Sequence, residues 1–323
     1  MKKVRLLFSE GSVLSSVRQR WAWAGAVVAV LLLIASTGYA QCWGDQAKAQ
    51  GYGNAALLAS GQEVADHLGE AGVRILDARS PERYAAGHIP GAVNLPVAEV
   101  SRTINGVPGM LTPVREVEQA LGARGVTRES RVVIYDDFGG DQATRLFWAL
   151  DFMGHPRVSV LQGGFGLWQR EGRPVARDPS QPLVTRYRAA PDSTRLADAA
   201  WVKARLDDPA AVLVDSRSPE EFDGEVPGRE VSRPGHIPGA VNVDWVRNLT
   251  PTETRRFKAG AELARLYRRA GVTPDKEILV YCRTGVRASH TYFVLRLLGY
   301  PKVRLYDGSF VEWAADPGLP VAR

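Results

Sequence analysis

The chain is written twice. Residues 75–96 read ILDARSPERYAAGHIPGAVNLP, and residues 213–243 read LVDSRSPEEFDGEVPGREVSRPGHIPGAVNV, the same text with ten residues inserted before the Gly-His pair. RVVIYDDFGGDQATRLFWAL at 131–150 is echoed by EILVYCRTGVRASHTYFVL at 277–295, and GGFGLWQREGRPV at 163–175 by GSFVEWAADPGLPV at 308–321. The cues recur in one order at an offset of about 140–150 residues, far beyond the 20–50-residue period of a solenoid, so the repeated unit is a whole domain.

In each copy, short apolar runs (Val73–Leu76 and Val132–Tyr135, then Val212–Val214 and Ile278–Tyr281) alternate with helical stretches. Uninterrupted apolar strands separated by helices are the pattern of a parallel sheet, because the crossover helices cover both of its faces. The expected fold is therefore α/β, with two tandem doubly wound domains, each a central parallel sheet flanked by helices. The first domain is placed at 55–176 and the second at 196–323. The linker is placed at 177–195, where Pro179, Pro182 and Pro191 break regular structure.

Composition narrows function by exclusion. The 323 residues carry 41 Lys+Arg against 35 Asp+Glu, a net charge of +6, with 45% apolar and 24% charged residues, ordinary for a globular protein. Two Cys make no disulfide framework, and five scattered His make no ligand cluster, so no metal is expected. Residues 1–40 hold Lys2, Lys3, Arg5, Arg18 and Arg20 against Glu10, a net of +4, which leaves +2 for residues 41–323. A basic excess concentrated in the leader gives no clustered face for nucleic acid. The run Trp21–Ala40 has no charge and follows that basic flank. Residues 1–40 thus read as a signal peptide, with small Gly38 and Ala40 before a cut at Gln41, or as an uncleaved N-terminal membrane anchor. In both cases the remainder is exported, to the periplasm in a bacterium. Oligomeric state and the role of Cys42 stay open.

The chemistry gathers at Cys282. The run Ile278–Tyr281 ends at this thiol, the loop Arg283-Thr284-Gly285-Val286-Arg287 follows, and a helix begins with Tyr292, Leu295 and Leu298 spaced for one buried face and Gly299 as its stop. A short glycine-containing loop opening a helix can turn successive N–H groups into one concavity, where the helix terminus adds partial positive charge. Such a setting lowers a thiol pKa and holds an anion against the sulfur. Arg283 and Arg287 flank the loop and Thr284 adds a hydroxyl, so the ligand expected is a small anion.

These motifs, Asp215-Ser216-Arg217, Gly235-His236-Ile237-Pro238-Gly239-Ala240, Cys282 to Arg287, and Tyr306-Asp307-Gly308-Ser309-Phe310-Val311-Glu312-Trp313, closely resemble the rhodanese (sulfurtransferase) family in its two-domain form. The resemblance covers nearly everything after about residue 60. It implies five-stranded parallel sheets and an active second copy that passes sulfane sulfur through a persulfide on Cys282, cradled by the amides from Arg283 to Arg287. It also implies that Arg217 helps bind the anionic donor while Asp215 braces the site, and that no cofactor is needed. The implied partners are a small anionic donor such as thiosulfate and a thiophilic acceptor, cyanide or a thiol. Thr284 stands where thiosulfate-specific members often have lysine, and Arg287 where other tandem members have threonine. The donor therefore stays open between thiosulfate, favoured by the basic loop, and 3-mercaptopyruvate, whose enzymes usually read Cys-Gly-Ser-Gly. A non-catalytic exported sulfur carrier is a further alternative. A cysteine phosphatase or arsenate reductase of the same fold places its Arg six residues after the Cys, whereas Arg287 comes five after.

The first copy sets Tyr135-Asp136 against Tyr281-Cys282. A carboxylate cannot form a persulfide, and Asp136, Asp137 and Asp141 together would repel an anionic donor, so this copy is expected to be silent and to wall the cleft. His88 and His236, and Trp168 and Trp313, recur in both copies and read as architecture. Asn248-Leu249-Thr250 fits a glycosylation sequon, a weak pattern by itself.

Overall fold

The structure, a computed structural model, describes residues 43–137 and 139–323. The expected export segment and Cys42 lie outside the described residues, among which no helix is long and apolar enough to cross a membrane.

The apolar runs of the first copy become β1 (Leu58–Ala59), β2 (Val73–Asp77), β3 (Val93–Asn94), β6 (Arg131–Tyr135) and β7 (Val158–Leu161). They form one parallel sheet in the order β1-β7-β6-β2-β3. The second copy repeats it with β8 (Leu196–Ala197), β9 (Ala211–Asp215), β10 (Val241–Asn242), β11 (Glu277–Tyr281) and β12 (Val303–Tyr306), in the order β10-β9-β11-β12-β8. The central strands are buried on both faces: Val132 to Tyr135 and Ile278 to Tyr281 are each 0% exposed. An antiparallel hairpin of β4 (Ser101–Ile104) and β5 (Val107–Leu111) interrupts the first copy.

This order decides where a site can form. From β9 the chain crosses toward β10, and from β11 it crosses the other way toward β12, so the loops after these adjacent strands diverge and leave a crevice at their carboxyl ends. Register pairs Tyr281 with Asp215 at that crevice, and Tyr135 with Asp77 in the first copy.

Helices α1 (Asp141–Phe152), α2 (Gly164–Arg170), α3 (Val286–Leu297) and α4 (Ser309–Ala315) follow the two central strands and their neighbours. The sequence predicts one buried face for α3, yet Ala288 through Leu295 are all buried. The cause is α1, which packs on the side turned away from the sheet. Phe147 and Phe293 meet edge to face at 4.9 Å, and the two helices share one apolar cluster with both sheets.

Candidate active site

Strand β11 delivers Cys282 into the crevice, and the outer side of its loop is stitched to the start of α4. The Phe310 N–H donates to the Cys282 carbonyl (3.0 Å), the Val311 N–H to the Arg283 carbonyl (3.1 Å), and the Cys282 N–H to Ser309 Oγ (3.3 Å). With its carbonyls so occupied, the loop keeps its N–H groups for something else. The amides of Arg283, Thr284, Gly285, Val286, Arg287 and Ala288 donate to no acceptor among the described residues, and Ser289 N–H is the first to join the helix ladder, on Gly285 O at 2.9 Å. Gly285 caps α3 at φ 85°, a left-handed conformation that a side chain would strain. Six consecutive free donors at a helix N-terminus form an anion-binding nest.

Cys282 itself is 1% exposed and packs into the central apolar cluster. Arg287 is its charged neighbour. Burial works against the guanidinium's charge, but its hydrogen bonds to Glu221 and the neighbouring Cys282 and Glu221 raise its pKa above the ordinary value. Glu221 accepts from Arg287 Nη1 at 2.5 Å and Nη2 at 2.9 Å. Burial pushes Glu221 up, the Arg287 contact outweighs it, and its carboxyl lies below the usual range. Sequence reasoning missed Glu221 and Ser309. The signal for Glu221 was the Ser218-x-x-Glu221 capping box, which closes at the start of the helix Pro219–Phe222. Ser309 adopts φ 53°, where the first copy has Gly164 at φ 60°.

The other expected residues fall into two groups. Arg283 and Thr284 are half-buried on the loop, with Arg283 Nη1 donating to Arg229 O (3.1 Å), and Val286 opens α3. Arg217 is deeply buried. Its Nε and Nη2 grip Asp215 at 3.0 and 2.5 Å, Nη2 also donates to Gly235 O (2.8 Å), and the guanidinium stacks 4.1 Å over Phe310. Arg79 makes the same contacts to Asp77, Gly87 O and Phe165 in the first copy. The same buried ion pair therefore stands in both copies and braces the crevice beside Cys282. His88 and His236 stack on Tyr84 and Phe222, and Trp168 and Trp313 each donate to a proline carbonyl at 2.7 Å. Asn248 is 0% exposed and accepts from Tyr267 Oη at 2.8 Å, so the sequon offers no acceptor for a glycan.

The first copy shows what fills the equivalent loop, which is one residue longer. Asp136 Oδ1 accepts the Gly140 N–H (3.2 Å), and Oδ2 accepts the Gln142 and Ala143 N–H groups (3.1 Å each). These are the counterparts of Gly285, Arg287 and Ala288. The Asp136 carboxyl group occupies its own nest from within, and a polar cavity of about 560 Å³, lined by Arg83, Asp137, Asp141 and Arg255 among others, lies beside it.

A sequence model described as "Rhodanese-like domain" matches residues 60–171 and 198–316. A thiosulfate sulfurtransferase from Azotobacter vinelandii is 35% identical over 247 residues, covering 76% of this chain and 90% of the relative. The sulfur carrier protein TtuD of Thermus thermophilus is 35% identical over 286 residues, covering 84% and 99%. Among solved structures, an anaerobic ergothioneine biosynthesis enzyme from Chlorobium limicola with trimethyl histidine superposes with a TM-score of 0.73 at 25% identity, over 83% of this chain and 70% of that one. A structure of EanB with ergothioneine covalently linked to a cysteine persulfide superposes with a TM-score of 0.70 at 27% identity, over 77% and 63%.

Proposed function

Because the chain belongs to the rhodanese-like family, with one such domain in each half, we propose that it is a sulfurtransferase acting through a persulfide on Cys282, with thiosulfate as donor. The observation that carries this reading is the row of free amides from Arg283 to Ala288 around the only described cysteine.

The cycle has two balanced halves. The Cys282 thiolate attacks the outer sulfur of thiosulfate; a sulfur–sulfur bond forms to the enzyme while the donor's own sulfur–sulfur bond breaks, and sulfite leaves with the electron pair. A thiophile such as cyanide then attacks the outer persulfide sulfur, departs as thiocyanate, and returns the thiolate. A covalent intermediate between the halves makes the kinetics ping-pong. The nest amides stabilise the negative persulfide sulfur as an oxyanion hole stabilises oxygen, and the Arg287 cation stands beside it as the nearest positive charge. Basic Arg283 and Arg287 at the loop favour a dianion over 3-mercaptopyruvate, and the names of the Azotobacter and other curated relatives support the same choice. The first domain is silent in this scheme, its nest plugged by Asp136.

Export is part of the same proposal: the charge-free run Trp21–Ala40 behind a basic flank supports delivery to the periplasm, as a cleaved protein or anchored at the membrane. Cell fractionation with N-terminal sequencing checks it, and a full-length protein in the cytosol overturns it.

Wild type and Cys282→Ala are to be assayed with thiosulfate plus cyanide, 3-mercaptopyruvate and an aryl phosphate. The expected outcome is sulfite and thiocyanate from wild type, with a loss of at least about a thousandfold in the variant. Turnover that survives the substitution sinks the mechanism, and phosphate release without sulfur transfer moves the site to phosphatase chemistry.

A further inference from the structure

The two loops differ in what the opposite domain sets against them. The first domain's hairpin lies on the Cys282 loop: a Cβ built on Gly109 would stand 2.5 Å from Thr284 O. In return, the second domain's Phe257 exchanges hydrogen bonds with Gln162 (N–H to Oε1 at 2.9 Å, O to Nε2 at 3.4 Å), and His290 Nε2 lies 2.8 Å from Gly139 O. His290 is buried and its pKa is pushed down to about 4 by desolvation, so it is neutral, as Gln162 is. The second-domain groups that hydrogen-bond at the silent loop therefore carry no charge, and the cation beside it, Arg255, faces Asp141 across the cavity rather than a buried carboxylate of its own domain.

At the corresponding places around the Cys282 loop stand Arg145, at the same position of α1 that His290 holds in α3, and Asp307, after β12 as Gln162 follows β7. Arg145 is 0% exposed in its side chain and Asp307 is 5% exposed. Arg145 Nη2 donates to Asp307 Oδ1 and to Gly109 O, both at 2.6 Å, and the guanidinium lies 4.5 Å over Trp148. Asp307 Oδ2 accepts the Leu111 N–H at 2.7 Å. Arg145 Nε and Nη1 meet no acceptor among the described residues. A Cβ built on Gly285 would stand 3.1 Å from Nη1, 3.1 Å from Asp307 O and 3.5 Å from Asp307 Oδ1, so the pair touches the nest at its left-handed residue.

A buried carboxylate this close to a site for anions opposes thiolate, donor and persulfide alike, because charges a few ångströms apart in a dry interior interact strongly. It is tolerable there only if compensated. We infer that Arg145, a side chain of the first domain, is a positioning residue for sulfur transfer in the second: it neutralises Asp307 beside the Cys282 loop and pins the β4–β5 hairpin across it. The inference rests on the sulfurtransferase reading of Cys282. It gives the silent domain an electrostatic task at the active site as well as a structural one.

The test compares full-length wild type with Arg145→Met, Arg145→Lys, Asp307→Asn and the double variant Arg145→Met/Asp307→Asn. Two readouts are needed: kcat/KM for thiosulfate, and the pH profile of iodoacetamide alkylation read by mass on the Cys282 peptide. Arg145→Met is expected to lower kcat/KM about tenfold to a hundredfold and to move the alkylation profile up by about one pH unit, because Asp307 is left bare. The double variant recovers most of both, since it removes the bare charge, and Arg145→Lys stays near wild type. A double variant as poor as Arg145→Met, with an unmoved profile, reduces Arg145 to packing and overturns the inference. So does wild-type kcat/KM in Arg145→Met. If Arg145→Met does not fold, the double variant and Asp307→Asn decide, the latter expected to move the alkylation profile down and overturning the inference if the profile moves up. Failure of wild type to take sulfur from thiosulfate defeats the functional reading instead, and the alkylation profiles still decide on the pair.

Discussion

Cys282 and Asp136 occupy one position in two copies of a loop, and in the proposed function the difference between a thiol and a carboxyl there divides a reactive site from a closed one. The Asp136 oxygens reach amides four to seven residues ahead, a contact set by the loop's closure in three dimensions, so sequence reading found the residue and its charge but not that it fills its own nest. Burial, with Asp141 beside it, pushes the Asp136 carboxyl up to about 8 against the pull of the Ala143 and Gly140 amides. The native state then keeps a proton that the unfolded chain has released. The stability this contributes is complete below the unfolded value and is lost as pH rises through the folded one. The Tm of wild type minus that of Asp136→Asn is thus expected to shrink from about pH 5 to about pH 9 in thermal melts, and a constant difference contradicts the assignment. Arg217 shows a second contact of this kind. Its Asp-x-Arg pattern stands in the first copy as Asp77-x-Arg79, and the buried ion pair each makes is visible only in the folded chain.

Among elements, the strands were legible and the hairpin was not. Val132 to Tyr135 and Ile278 to Tyr281 are apolar without a break because helices cover both faces of the sheet. The β4–β5 hairpin has a short, half-buried strand with Pro108 and Gly109 inside it, and nothing in that local pattern announces a strand that lies on another domain. Its fit depends on Gly109, at φ 85° and hard against Thr284 O. Gly109→Ala is expected to cost about 1–2 kcal/mol in denaturant unfolding, from the left-handed backbone and the blocked approach together. It is also expected to lower kcat/KM for thiosulfate several-fold. Unchanged stability and kinetics would show that the hairpin does not rest on the loop. Helix α3 was read with the right residues but the wrong environment: the spacing of Tyr292 and Leu295 predicts one buried face, and the partner helix α1, which buries the rest, lies in the other copy.

For the molecule as a whole, duplication explains both the symmetry of the packing and its use. Helices α1 and α3 join the copies face to face, each copy sends a segment over the other's loop, and only the second loop keeps its donors free and its flanking carboxylate compensated. The repeat was plain in the sequence; which copy lends what to the other was not, because cross-domain pairs such as Arg145 and Asp307 are 162 residues apart. One measurement tests the central claim most directly: the intact mass of the full-length protein after thiosulfate, followed by peptide mapping. A gain of one sulfur atom per chain is predicted, located on the Cys282 peptide and removed by cyanide. A mass that does not change, or a sulfur that maps elsewhere in the chain, would contradict the account.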